Sequence, residues 1–165
     1  MSVESSLVLI KPDAIQRGLT GLILTRLDEP GLMMIGAKVM RVSRELAEEH
    51  YNTLRPKPFF EELIQHICGR LHGVEHLLAL VYHGPGAIAR IRHLSGATNP
   101  EKAEPRSIRG AYGRNTASGL MENVIHSSSD AADAEREIKL WFRPDELLLP
   151  LYPTKRTAGE IVVWA

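Results

Sequence analysis

The chain has one cysteine, Cys68, among 165 residues. No disulfide can form within it, and a lone thiol favours a reducing, cytoplasmic setting over a secreted scaffold. It also lacks a surplus of either charge, since 20 Lys and Arg balance 20 Asp and Glu. A general nucleic-acid binder draws its affinity from excess cations meeting phosphates, so that class is disfavoured, whereas a small basic pocket for one nucleotide is not. Aromatic residues make up only 5%, which argues against an RNA-binding sheet that stacks bases on aromatic pairs. Apolar runs such as Leu77 to Tyr82 are strand-length and far too short to cross a bilayer. No charged-then-apolar leader opens the chain, no period repeats along it, and no stretch is of low complexity. What is present is an ordinary globular composition, 44% hydrophobic and 24% charged, long enough for a self-sufficient core. The expectation is one domain over residues 1–165, with extended loops near 68–74 and 95–122 and a C-terminal tail over 149–165.

Ser6 to Lys11 is a continuous apolar run ending in a charge, which suits a strand buried on both faces that delivers Lys11 at its exit. Pro12 and Gly18 read as a turn, and Leu22 to Leu27 as a short helix ended by Pro30-Gly31. Met33 to Val42 is a second strand. Ser43 opens a helix to about Asn52, and Leu46 at its third position makes Ser43 a simple N-cap rather than half of a capping box. Helix resumes from Phe59 to about Cys68 after Pro56-Lys57-Pro58. Glu75 to Tyr82 is a third strand, Ala87 to about His93 a helix, and Ser95 to Glu122 a long functional loop rich in Gly, Ser, Asn and Pro. Val124-Ile125-His126 is a short strand, and Asp130 caps a helix whose Ala131, Ala134, Ile138 and Trp141 share one face. This order fits an α+β sandwich of a small, mostly antiparallel sheet covered by helices.

The chemically capable residues are scattered. Lys11 ends a strand, Arg92 ends a helix, Thr98 and Arg109 lie in the long loop, and His126 sits on a strand. Three cations and a hydroxyl converging near one imidazole make an anion site, and the tail of a nucleotide is the commonest such anion. Singly each has a bland reading: a solvated lysine, or a capping histidine beside Ser127, Ser128 and Ser129.

Seven segments alter that balance: K-P-D-A-I-Q-R-G from Lys11, His50-Tyr51, R-P-K-P-F-F from Arg55, Thr98-Asn99-Pro100, Ile108-Arg109-Gly110, N-V-I-H from Asn123 and E-I-K-L-W-F from Glu137. In this order and spacing the chain, from about residue 5 to 148, resembles nucleoside diphosphate kinase. The resemblance implies a ferredoxin-like βαββαβ fold with a mostly antiparallel four-stranded sheet. It implies exchange of a γ-phosphate between nucleoside triphosphates and diphosphates by a ping-pong route through a phosphohistidine, with broad base specificity.

Residue by residue, His126 matches the phosphorylated nucleophile, Glu137 the carboxylate that orients it and Ser128 the hydroxyl behind that carboxylate. A neutral imidazole is a competent nucleophile at cytoplasmic pH. Lys11, Arg92 and Arg109 match phosphate ligands, Thr98 a further phosphate contact and Tyr51 a supporting hydroxyl. Phe59 matches the aromatic under the base, with Phe60 left for the core, and Asn123 with Lys11 the pair at the ribose hydroxyl. The resemblance implies Mg²⁺ carried in by the nucleotide, with no metal site of the protein's own, and a homo-oligomer, a hexamer in preference to a tetramer. The long loop, the stretch from Leu149 to Pro153 and the apolar tail Ile161 to Ala165 are the natural assembly surfaces, the tail packing on its own or a neighbouring subunit. Against this stand a catalytically impaired binding module of the same fold and a ferredoxin-like RNA-binding domain.

Two stretches depart from the family's pattern. The segment from Cys68 to Val74 is longer, and with His66, His72 and His76 it raises a zinc site, against which a solvated loop is the default. The second follows Gly113-Arg114-Asn115, where T-A-S-G-L-M-E precedes Asn123. Asn115 and Asn123 therefore compete for the ribose, and Asn123 is favoured because its place three residues before His126 fixes it on the strand. Ala111 stands where relatives carry an acid, which leaves the conformation of the 95–122 loop open.

Overall fold

The computed structural model describes residues 2–156 and 162–164, with Arg156 and the last three by backbone alone. Four strands form the main sheet: β1 (Val3–Ile10), β2 (Met33–Met40), β3 (Leu77–Pro85) and β6 (Ile125–Ser127). They lie in the order β2-β3-β1-β6, and every neighbouring pair is antiparallel. This is the ferredoxin-like α+β arrangement. The remaining strands make two small hairpins, β4 (Arg114–Asn115) with β5 (Met121–Glu122) and β7 (Thr154–Arg156) with β8 (Val162–Trp164).

β1 is buried on both faces because its apolar residues do not alternate with polar ones. Leu7 and Leu9 enter one core with Ile64, Ile67, Ile138 and Trp141, beneath α3 (Arg44–His50), α4 (Phe60–Ile67) and α7 (Ala131–Trp141). Val8 and Ile10 enter the other with Ile23, Leu27, Ile91 and Leu94, beneath α2 (Thr20–Asp28) and α5 (Ala87–Ser95). Truncating any of these to alanine costs about 2–5 kcal/mol.

The two expected caps are present. Ser43 Oγ accepts the Leu46 amide at 3.2 Å and Asp130 Oδ1 the Asp133 amide at 2.9 Å. Three sequence expectations need correction. Pro12 does not make a turn but opens a one-turn helix, α1 (Pro12–Gln16), since proline at the first helical position lacks only an amide that had no partner anyway. The stretch 95–122 is not an unstructured loop. It holds a 3₁₀ turn (Pro100–Lys102), α6 (Ile108–Tyr112) and the β4–β5 hairpin, pieces too short for periodicity to reveal and pinned by Asn99 and Ser107 caps. The loop after α4 is solvated only in part: Arg70, Leu71 and Gly73 are exposed, but His72 is buried, as is His66 in the last turn of α4, and of the three histidines only His76 is exposed. As for the tail, β8 runs beside the 3₁₀ turn Pro144–Glu146, whereas Ile161, Ala165 and the tail's side chains lie outside the described residues.

Candidate active site

Strand order brings the scattered residues together. Because β6 pairs with the last three residues of β1, Leu9 opposite His126 and Ile10 opposite Ile125, the exit of β1 sets Lys11 beside the histidine. A cavity of about 640 Å³ opens there, lined by Lys11, Tyr51, Phe59, Arg92, Thr98, Arg109, Asn123, His126 and Glu137. Nine of the ten expected site residues therefore meet in one place, and the tenth, Ser128, stands directly behind.

His126 Nε2 lies 3.0 Å from Glu137 Oε1, and Ser128 Oγ donates to the other carboxylate oxygen at 2.7 Å. Ser128 Oγ in turn accepts the Leu7 amide at 3.0 Å, which ties this row to the centre of the sheet. A carboxylate offers lone pairs only, so Nε2 carries the ring hydrogen and Nδ1 keeps the free lone pair. Burial, with Lys11 and Arg109 close by, holds the imidazole well below its ordinary titration range, so it is neutral at pH 7. Burial pushes the Glu137 carboxyl up, opposed by His50 and by the Ser128 hydrogen bond.

The cations are oriented by the chain rather than by carboxylates. Lys11 Nζ donates to Asn123 Oδ1 at 2.6 Å, and burial pushes its ammonium down to about 8. Arg109 is held by the carbonyls of Gly96 (2.8 Å) and Ile125 (3.0 Å), while its buried Nε–H has no partner among the described residues. Burial lowers this guanidinium to about 10, still charged at neutral pH. Arg92 is exposed at the cavity wall, in the last turn of α5. Asn123 Nδ2 donates to the Thr98 carbonyl at 3.0 Å, joining the long loop to the floor of the site. Asn115, its rival, donates instead to Asn99 Oδ1 at 3.1 Å and does not line the cavity. Phe59 is 49% exposed at the rim, whereas Phe60 packs on the core.

Sequence reasoning assigned no role to several residues that shape this site. His50 is buried with its ring 4.4 Å from that of His126, edge to face, and its Nδ1 accepts the Trp141 indole N–H at 3.0 Å. Arg136 reaches within 3.8 Å of Glu137 Oε1. Gly119, Leu120 and Met121 of the hairpin form one wall of the cavity. His50 was visible in the His50-Tyr51 motif; Arg136 and the three hairpin residues depend on contacts no spacing announces. His50, His126 and Glu137 bring one donor atom each within 4.8 Å of one another. That set of nitrogen and carboxylate donors suits zinc better than magnesium, and its atoms at His126 and Glu137 are already engaged with each other and with Ser128.

Backbone strain sits next to the nucleophile. Val124 has φ +58°, the one left-handed non-glycine among the described residues. A β-branched side chain is disfavoured there by about 1–2 kcal/mol. Its amide donates to Asp13 Oδ2 at 2.9 Å and its carbonyl accepts the Lys11 amide at 2.9 Å.

Residues 4–147 match the family model described as nucleoside diphosphate kinase. The nucleoside diphosphate kinase of Symbiobacterium thermophilum is 49% identical over 140 residues, covering 85% of this chain and 87% of the relative. The halophilic enzyme of Halobacterium salinarum, solved in complex with CDP, superposes with a TM-score of 0.79 at 43% identity, covering 88% of this chain and 91% of that one. The Borrelia burgdorferi enzyme, solved as a transition state mimic with vanadate and ADP, gives a TM-score of 0.80 at 33% identity, covering 89% and 91%. With the sheet order, the cavity and the sequence match in agreement over most of its length, the chain belongs to the nucleoside diphosphate kinase family.

Proposed function

We propose that the chain transfers the γ-phosphate of a nucleoside triphosphate to a nucleoside diphosphate in two half-reactions through a phosphohistidine at His126. The observation that carries this reading is the His126 ring, tethered at Nε2 by Glu137 and free at Nδ1, in a cavity that also holds Lys11, Arg92 and Arg109. In the first half-reaction the Nδ1 lone pair attacks the γ-phosphorus, the bond to the bridging oxygen breaks, and the diphosphate leaves with that electron pair. In the second, a terminal oxygen of another diphosphate attacks the same phosphorus and the ring recovers its lone pair. No separate base is needed, because the attacking nitrogen bears no proton.

Charge that builds on the transferring group falls among three cations. The unpartnered Nε–H of Arg109 is a ready donor for a phosphate oxygen. Removing one such cation costs on the order of 10²-fold in rate. Glu137 stabilises the ring as it becomes positive, Ser128 holds Glu137, and the Tyr51 hydroxyl and Thr98 complete the polar lining. Phe59 offers a flat apolar face to any base, and Asn123 with Lys11 meets the ribose, which gives broad base specificity. Mg²⁺ enters as part of the nucleotide, held by phosphate oxygens and water, since such ions keep several waters and favour phosphate ligands. The reading extends to one domain over the whole chain, acting in the cytoplasm as a homo-oligomer, a hexamer rather than a tetramer. Among the described residues no helix is long and apolar enough to cross a membrane.

The test is to incubate wild type and His126→Ala with Mg²⁺ and γ-labelled ATP. Acid-labile, base-stable label on wild type alone, chased onto GDP, CDP and UDP, is the expected result. Nucleotide binding without label on either protein would leave a binding module and overturn the reading.

A further inference from the structure

His66 and His72, singled out by the sequence, have no part in the phosphotransfer described above. Gly69 has φ +79°, and a Cβ there would lie 1.8 Å from the Val74 carbonyl oxygen. The chain thus folds back tightly after α4 and sets His72 Nε2 2.9 Å from His66 Nδ1. His66 Nε2 faces Asp13 Oδ1 at 3.5 Å, and His72 Nδ1 faces Glu122 Oε1 at 3.8 Å. All four groups are buried. Among the described residues neither Asp13 Oδ1 nor His66 Nε2 has a hydrogen-bond partner of ordinary geometry, so each is the nearest group able to satisfy the other.

Proton positions in this row follow from its ends. Asp13 is ionised, so the His66 nitrogen that faces it carries the hydrogen. His66 Nδ1 is then an acceptor, and His72 Nε2 the donor to it. Glu122, at the far end, is occupied by Arg114 at 2.6 Å and Arg17 at 3.9 Å. At the near end Asp13 holds the amide of Val124, whose left-handed backbone persists only while something fixes it, and which lies two residues before His126.

We propose that His66, its tautomer set by Asp13 and matched by a hydrogen bond from His72, is a positioning residue: its Nε2–H orients the Asp13 carboxylate on the Val124 amide and so fixes where β6 presents the His126 ring. This inference rests on His126 being the phosphorylated group.

Two variants and one spectrum test it. His66→Leu keeps bulk and loses the donor, whereas His66→Gln keeps an N–H near the Nε2 position. Phosphorylation of His126 by γ-labelled ATP, followed by rapid quench, is expected to slow about tenfold to a hundredfold in His66→Leu, the scale of a ~1 Å misplacement. KM for the diphosphate is expected to stay within about twofold, and His66→Gln to recover most of the rate. A wild-type rate in folded His66→Leu, or equal losses in the two variants, overturns the proposal. Ring ¹⁵N shifts of wild type keep it falsifiable if a variant fails to fold: His66 must be the Nε2–H tautomer, and an Nδ1–H tautomer refutes the idea. Absence of any label on wild-type His126 would instead sink the phosphohistidine reading and leave the tautomer result standing by itself.

Discussion

Raising the pH should disable this enzyme earlier than an ordinary lysine would allow. Lys11 is buried against Asn123, and desolvation outweighs the nearby Asp13 carboxylate, with Arg109 adding to the downward push, so its ammonium titrates at about 8. At about pH 7 some nine-tenths of the free enzyme carries the charge, and at about pH 9 only about one-tenth. A lysine at its ordinary value of 10.5 would still be about 97% charged at about pH 9. If the charged form alone binds and stabilises the transferring phosphate, kcat/KM for the triphosphate, the substrate that meets the unphosphorylated enzyme, falls about tenfold across that interval. The profile of kcat/KM is the right observable because it reports groups of the free enzyme. It should be recorded at constant ionic strength, with Lys11→Arg alongside, whose guanidinium keeps its charge throughout. On the acid side activity should persist well below pH 6.5, because His126 stays neutral there. A wild-type profile flat to about pH 10, or the same alkaline fall in Lys11→Arg, would refute the assignment of that limb to Lys11.

Two further outcomes follow from the same geometry. Lys11→Met should stabilise the fold by up to about 3 kcal/mol near pH 7 while abolishing turnover, since it removes a buried cation whose folded pKa is depressed. The folded state binds fewer protons than the unfolded one between about 8 and 10.5, so the wild type recovers stability over that window and the advantage should vanish near its top; urea melts at both ends check this. Phe59→Ala should raise KM for GDP and CDP alike by about tenfold, within the ~1–3 kcal/mol of one stacked base, with kcat little changed. Steady-state kinetics with both diphosphates decide, and a loss confined to one base would contradict stacking.

The skeleton of the sheet was legible because its strands are apolar runs and two of its covering helices, α3 and α7, are capped by Ser43 and Asp130, signals that need no tertiary context. The site was legible as a set of motifs, but not its convergence. Only the order β2-β3-β1-β6 places Lys11 beside His126, and periodicity fixes no strand order. What escaped reading shares one physical cause: it depends on partners distant in the chain. The helix at Ile108–Tyr112 is a single turn held by Ser107, and Val124 adopts its strained backbone because Asp13 accepts its amide. His66 and His72 looked like solvent-facing residues because their neighbours, Asp13 and Glu122, come from opposite ends of the sequence.

That last contact also bears on how such a molecule can be rebuilt. The loop over 68–74 and the β4–β5 hairpin, the two stretches that look longer than the family's pattern, meet where His72 faces Glu122. Glu122 brings a companion on its own hairpin, Arg114, so a chimera that receives the hairpin alone keeps its buried carboxylate neutralised. A chimera that receives the loop alone strands no charge either, because the neutral His72 ring gives its one hydrogen to His66 and turns only a lone pair toward Glu122. The two stretches are therefore electrostatically independent, and transplants between relatives can add either one first.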